Sequence, residues 1–303
     1  MTGQKASGGR IGGMAASLRG YWTQAESYQK FLYSVGFLLV ASAVFHLGVL
    51  LVTRGTWQGD VSWRKPILFG ESFGLTAISV AWIMTFLPKR RILGWLLAIV
   101  LGLANAEEVL WVSLQQWRGV ASHFNNTTPF DAALFALAGI AILFAGGVIL
   151  FVTLWTFFSL RAPPSVAWAI RVGTLLLLAG QVFGFMMIRA NGHTFGAAGA
   201  MRVPHALALH GAQFLPALAV LLLFTGWSET RRTRTVVFGA AGYCILVAAG
   251  AFQTFSGRDP LDLSLSAALV LGVGALLLVW AYVLALSGVR QAQLQAGTAG
   301  TGS

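Results

Sequence analysis

The feature that most constrains this chain is a series of eight long apolar runs separated by short polar connectors. The runs span about residues 31–53, 67–87, 92–117, 130–158, 166–190, 204–227, 234–255 and 262–287. Each is longer than the eighteen or so residues that an α-helix needs to cross a hydrocarbon core of about 30 Å. None shows the alternation of a transmembrane β-strand. The sequence therefore predicts an all-α polytopic bundle of eight transmembrane helices whose surroundings are a lipid bilayer.

The distribution of basic residues predicts the orientation of the bundle. The chain is 57% hydrophobic and 10% charged, with a net charge of +11. With the N-terminus in the cytoplasm, thirteen Lys and Arg residues fall on the cytoplasmic side and seven on the other. This bias follows the positive-inside rule and predicts that both termini are cytoplasmic. The positive charge is spread over alternate connectors, which argues against a nucleic-acid partner. Cys244 is the single cysteine, so neither a disulfide nor a cysteine-based metal motif is expected.

Three segments follow from this pattern. Residues 1–30 are polar and basic and are expected to be a cytoplasmic N-terminal segment, residues 31–287 form the transmembrane domain, and residues 288–303 are expected to be a disordered tail. The composition is rich in Ala, Gly and Arg and poor in Lys, which indicates a bacterial protein. We therefore expect a multi-pass protein of the inner or plasma membrane.

Ionisable residues lie deep in several of the predicted spans, all in the extracytoplasmic half. From the rise of an α-helix, His46 lies roughly 10 Å, Glu71 roughly 6 Å and His210 roughly 9 Å from the nearer end of its span, while Glu107 and Glu108 lie roughly 14 Å down. A charge at such a depth costs at least a few kcal/mol. These groups are therefore expected to face one another or a water-filled cavity, and to form a site open to the extracytoplasmic side.

Residue type assigns a candidate role to each of these groups and to their polar neighbours. Carboxylates and an imidazole suited to proton transfer or catalysis are Glu71, Glu107, Glu108, His123 and Asp131. Polar and basic groups suited to binding a cofactor or an anion are Arg64, Lys65, Arg118 and Gln213. Imidazoles suited to a transition metal or a haem iron are His46, His205 and His210. Adjacent Glu107 and Glu108 cannot face one centre, so one is expected to line the site and the other to pair with a basic residue of a neighbouring helix. The alternative is that these groups are structural ion pairs.

The connector "RGVASHFNNTTPFD", residues 118–131, concentrates polar side chains between two apolar runs. The stretch "RANGHTFGAAGAMRVPHALALHGAQF" has a similar order of Arg, His, Phe and Pro, at similar spacings. The corresponding pairs are Arg118 and Arg189, His123 and His193, and Pro129 and Pro204. Their nearly constant separation favours a direct repeat that relates spans three and four to spans five and six. If so, both connectors fold over one cavity as its rim or lid.

Two stretches carry a resemblance to a known group of proteins. "WRKPILFGESFG" and "QQWRGVASHFN" resemble an uncharacterised family of multi-pass bacterial membrane proteins. The resemblance covers spans two to four. It implies a membrane location and no particular activity.

Three functions remain open at the level of sequence. The first is a metal- or haem-dependent membrane enzyme or redox protein, acting on a small molecule or a lipid. The second is a proton-coupled transporter or channel for a small anionic substrate, in which buried Glu and His groups relay protons. The third is a structural or assembly subunit, in which the polar residues only hold helices together. The sequence does not decide among them, nor whether the protein is an enzyme.

Overall fold

A computed structural model describes residue 20 and residues 22–299. The eight long helices are α1 (Ser27–Thr53), α2 (Arg64–Ile83), α3 (Arg91–Trp117), α4 (Pro129–Ser159), α5 (Pro164–Arg189), α6 (Arg202–Leu223), α7 (Glu229–Phe255) and α8 (Leu265–Ala299). A 3₁₀ turn, Met84–Phe86, extends α2, and a two-stranded antiparallel hairpin, β1 (Thr194–Phe195) and β2 (Gly199–Ala200), lies between α5 and α6. All eight helices are long and apolar enough to cross a membrane. The predicted all-α bundle of eight spans is confirmed.

The helix bounds differ from the predicted spans mainly at the C-terminus. Helix α8 continues to Ala299, beyond the predicted end at residue 287. The stretch "RQAQLQA" consists of strong helix formers, so the chain has no local reason to leave the helix there. Residues 288–299, for which the sequence predicts a disordered tail, are part of α8 in the structure. Most of the predicted N-terminal segment, and residues 300–303, lie outside the described residues.

The bundle is built from two four-helix repeats that follow one another in the chain. Helix α1 packs against α2 and α3, and α5 packs against α6 and α7 in the same way. Helices α3 and α7 are each 27 residues long. Arg64 and Arg202 begin the equivalent helices α2 and α6, and Gly119 and Gly257, both with positive φ, follow α3 and α7 at the same separation. The repeat unit is thus four helices, and not the pair of spans that the connector comparison predicted.

Glycine pairs set the closest helix contacts at equivalent places in the two repeats. A Cβ placed on Gly36 of α1 would lie 2.8 Å from the carbonyl oxygen of Gly74 in α2. A Cβ on Gly173 of α5 would lie 3.0 Å from the carbonyl oxygen of Gly211 in α6. Small residues allow helix backbones to approach closely in a bilayer, where packing drives association. The first two helices of each repeat are therefore held together by the same kind of contact.

The two repeats meet through α2 and α6, and through α4 and α5. A repeat of four spans returns the chain to the side on which it began, so both repeats have the same orientation and their symmetry axis runs along the membrane normal. Helices α2 and α6 lie next to this axis. The connectors 54–63, 118–128, 190–201 and 256–264 all lie at one end of the bundle, called here the Arg64 end. Helices α1, α4 and α8 are the least buried and present their apolar side chains to lipid.

Candidate functional site

Polar residues gather in two places at the Arg64 end. The first, called the connector cluster, consists of Glu108, Gln115, Arg118, His123 and Asp131, at the junction of α3 and α4. The second, called the axial pocket, lies between the α1–α2 and α5–α6 connectors beside the repeat axis. It is lined by Trp57, Gln58, Gly59, Asp60, Arg64, His193 and Arg202.

Asp131 anchors the start of α4 to the end of α3. Thr128 caps α4, since its hydroxyl accepts from the Asp131 amide at 3.1 Å and donates to the Asp131 carboxylate at 2.7 Å. The same carboxylate accepts from Gln115 Nε2 at 2.8 Å and from Arg118 Nη1 at 2.6 Å. Asp131 and Gln115 are buried. Both oxygens of Asp131 are therefore engaged within the protein, and the group joins two helices.

The α3–α4 connector folds down into the bundle and places His123 against Glu108. His123 Nε2 lies 3.1 Å from Glu108 Oε1, although Glu108 is nine residues, or about 13 Å of helix rise, before the end of α3 at Trp117. Gly119 and Phe124, with φ of 71° and 56°, reverse the chain on either side of this descent. The concentration of polar residues in the connector thus has a structural use, because the connector supplies partners to a carboxylate inside the membrane.

The Glu108 carboxylate is only half satisfied. Its Oε2 atom is buried and has no hydrogen-bond partner among residues 22–299. The ring of His123 packs beside the phenyl rings of Phe69, Phe124 and Phe135, at centroid distances of 5.2, 6.2 and 6.1 Å. Nδ1 of His123 lies 3.0 Å from the Ser122 hydroxyl. The result is an acid–imidazole contact in which the Glu108 side chain is buried, while the His123 side chain packs against aromatic rings and stays 26% exposed.

The other two predicted carboxylates do not join the connector cluster. Glu107 accepts a hydrogen bond of 2.6 Å from Trp111 Nε1, one turn further along its own helix. The expectation that one member of the Glu107–Glu108 pair would meet a basic residue of a neighbouring helix is wrong, because the partners are a tryptophan and the connector histidine. Glu71 is half-buried on α2 and makes no hydrogen bond or ion pair with any described residue.

The three predicted metal ligands are not brought together. His46 Nε2 accepts from Trp117 Nε1 at 3.2 Å, so the proton sits on Nδ1, which donates to the Ser42 carbonyl at 2.8 Å. His205, in the second repeat, bonds through Nδ1 to the Gly180 carbonyl at 2.7 Å. Over the described range, no group of three or more His, Cys, Asp or Glu side chains is placed to hold a metal ion. The predicted ligand set of His46, His205 and His210 is therefore not assembled, since depth along a helix does not fix which neighbour a side chain meets.

Gln213 is also turned toward its own helix. In the side-chain amide orientation that gives hydrogen-bond partners of the right kind, the Gln213 nitrogen donates to the carbonyl oxygens of Leu209 and His210, each at 3.1 Å. It does not line the axial pocket. Its predicted role in binding a cofactor has no contact to support it.

The axial pocket combines a cavity with a net positive charge. Its volume is about 330 Å³. Arg64 and Arg202, the first residues of α2 and α6, occupy equivalent positions in the two repeats and both line it. Lys65 interacts electrostatically with both arginines and with Asp60. None of these three cations forms a salt bridge with a described residue, and Asp60 is the one acid in the pocket lining.

His193 is the titratable group in this positive field. Its burial lowers the pKa of the imidazole below the ordinary value of 6.5, and the charge of Arg202 lowers it further. Asp60 acts in the opposite direction, while Lys65 and Arg64 add to the lowering. An anion in the pocket would meet two guanidinium groups at the N-terminal ends of two helices, where the helix dipoles also favour negative charge.

Sequence reasoning identifies Arg64 and Lys65 as candidates for an anion site and misses Arg202, His193 and Asp60. A signal for Arg202 is nevertheless present, because "WRKP" and "MRVP" both place Arg shortly before Pro at the start of a span. Pro within the first turn marks the beginning of a helix. The match identifies Arg64 and Arg202 as equivalent residues.

Comparison of the chain with models of protein families, with curated proteins and with solved structures gave no match. The resemblance of its two stretches to an uncharacterised membrane family therefore stays a prediction.

Proposed function

We propose that this membrane protein is a transporter for a small anionic solute, which binds in the axial pocket. The observation that carries the proposal is the pair Arg64 and Arg202. They occupy equivalent positions in the two repeats, line one cavity of about 330 Å³, and are paired with no acid of the described chain. Guanidinium groups are the usual partners of carboxylate, phosphate and sulfate because they can donate two parallel hydrogen bonds.

The architecture supports transport as the use of such a pocket. Some secondary transporters consist of two repeats in the same orientation, related by an axis along the membrane normal, and bind substrate at the interface between the repeats. The axial pocket lies between the repeats, where α2 meets α6. Relative movement of the two four-helix units would change access to a site at their junction. The orientation predicted from the basic residues would place the pocket on the extracytoplasmic side.

The charge of the pocket favours a dianion. Arg64 and Arg202 in the lining, with Lys65 next to them outside it, contribute three positive charges, and Asp60 contributes one negative charge. With His193 neutral the net charge is +2, which a sulfate, a hydrogen phosphate or a small dicarboxylate would neutralise. Of the three functions considered from the sequence, the metal or haem enzyme gains no ligand set from the described residues.

The test is saturable binding of sulfate to the protein in lipid nanodiscs, with uptake of labelled sulfate into proteoliposomes as a second readout. The variants Arg64→Gln and Arg202→Gln should each weaken binding by about 10- to 100-fold, since a hydrogen bond to a charged group contributes about 1.5–3 kcal/mol. Arg258→Gln is the matched control, because Arg258 lies at the same end but pairs with Asp262 at 2.9 Å outside the pocket. Absence of saturable sulfate binding by the wild type, or an equal loss in the Arg258 variant, would overturn the proposal.

A further inference from the structure

His193 is held in the axial pocket by the hairpin that follows α5. Its carbonyl oxygen accepts from the Met201 amide at 2.9 Å, which closes the loop around the pairs Thr194–Ala200 and Phe195–Gly199. The hairpin is in turn fixed to the end of α7, because the Ala198 amide donates to the Gly257 carbonyl at 3.0 Å. The imidazole lines the cavity, and its ring nitrogens make no hydrogen bond with any residue that the structure describes.

The charged groups around this imidazole come from every element that lines the pocket. The α1–α2 connector supplies Asp60, α2 supplies Arg64 and Lys65, and α6 supplies Arg202. Three of the four are cations, so the field of the protein in the pocket opposes a further positive charge. A bound dianion would reverse that field at the imidazole. It would also offer an acceptor to a ring nitrogen that has none in the described chain.

We propose that the axial pocket binds an anion together with one proton, and that His193 takes up this proton. The inference rests on the proposed function, and it names the coupling between the solute and the proton at the same site. A protonated His193 would donate to the anion between Arg64 and Arg202. The proton-coupling group is then in the substrate pocket itself and is separate from the connector cluster, where Glu108 and His123 already bond each other.

The sign of the coupling follows from linkage. In the free protein the pKa of His193 lies below its ordinary value, and the charge of a bound anion raises it. Affinity for the anion must therefore increase as the pH falls through the histidine range, by at most about tenfold per pH unit for one proton. Affinity should be constant well above the pKa of the bound state and well below that of the free state.

The experiment is calorimetric titration of the full-length protein in nanodiscs with sulfate, whose charge is fixed over this pH range. Titrations in two buffers of different ionisation enthalpy give the number of protons taken up with each anion. We expect uptake approaching one proton in the histidine range, and affinity that increases with falling pH. His193→Gln should retain the affinity measured at high pH and lose both the proton uptake and the pH dependence. His210→Gln, which changes a histidine of α6 outside the pocket lining, should retain both.

Each other outcome has a separate meaning. Saturable sulfate binding without proton uptake overturns the inference and leaves the anion site in place. Proton uptake that persists in His193→Gln overturns the assignment to His193. Its loss in Asp60→Asn would then assign the proton to Asp60. Absence of sulfate binding at every pH overturns the proposed function, and the inference with it.

Discussion

Gly36 offers a direct test of the close contact that organises each repeat. In the structure, a Cβ placed on Gly36 lies 2.6 Å from Ile78 Cγ1 and 2.8 Å from the carbonyl oxygen of Gly74. Ile78 can adjust its side chain, but the carbonyl belongs to the backbone of α2. The substitution Gly36→Ala must therefore separate α1 from α2 along their interface.

The expected change in the free energy of unfolding is the sum of two opposing effects. Replacing a helical glycine by alanine stabilises the helix by about 1 kcal/mol. Forcing an extra carbon into a packed interface costs about 1–3 kcal/mol. Gly139→Ala in α4 is the matched control, because nothing lies within 4 Å of a Cβ at that position. Since the helical gain is common to both variants, Gly36→Ala should be less stable than Gly139→Ala by about 1–3 kcal/mol.

The assay is equilibrium unfolding in mixed detergent micelles with increasing dodecyl sulfate, followed by tryptophan fluorescence. Gly173→Ala, the equivalent change in the second repeat, should destabilise in the same direction but less, because its closest atoms are 3.0 and 3.1 Å away. The reasoning would be refuted if Gly36→Ala and Gly139→Ala had equal stability. It would also be refuted if Gly173→Ala were the more harmful of the equivalent pair.

Two further predictions concern the connector cluster. Arg118→Met should lower the free energy of unfolding more than Arg258→Met does, because its partner Asp131 is buried while Asp262 is exposed. Unfolding in mixed micelles measures the difference. Equal losses of stability would contradict the role of the Arg118–Asp131 ion pair in joining α3 to α4. His123→Ala should raise hydrogen exchange of backbone amides in residues 118–128 by about tenfold or more, because it removes a hydrogen bond to a carboxylate worth about 1.5–3 kcal/mol. Unchanged exchange in that segment would show that the contact does not hold the connector down.

The membrane fold could be predicted from the sequence because each span is a long apolar run bounded by polar or helix-breaking residues. The sequence predicts span three over 92–117, and the helix runs from Arg91 to Trp117. A bilayer leaves the backbone of such a run no alternative to a helix, since every N–H and C=O must be satisfied internally. The length of the run therefore determines the element with little help from its neighbours.

The site could be predicted only in part, because helix rise gives the depth of a residue but not its partner. The connector comparison matches His123 with His193, yet His123 descends to Glu108 while His193 lines the axial pocket. His46 has the depth expected of a metal ligand, but both of its ring nitrogens are engaged by Ser42 and Trp117. Contacts of this kind depend on how the helices rotate against one another.

The arginine pair shows the opposite case. Arg64 is a candidate for an anion site from its local sequence, but Arg202 becomes a candidate only when the repeat is recognised. The sequences of the two repeats are similar only at isolated positions, such as Gly119 and Gly257. The apolar residues between these positions do not indicate the repeat. Once the four-helix repeat is known, the second arginine and the pocket between the two follow.

The measurement that tests the central claim most directly is a double-mutant cycle on sulfate affinity with Arg64→Gln, Arg202→Gln and the combined variant. If both arginines contact the same anion, their effects are coupled, and the loss in the combined variant should differ from the product of the single losses by about twofold or more. Losses that multiply, or single variants that bind sulfate as well as the wild type does, would show that the two residues do not share one anion and would contradict the axial pocket as a binding site.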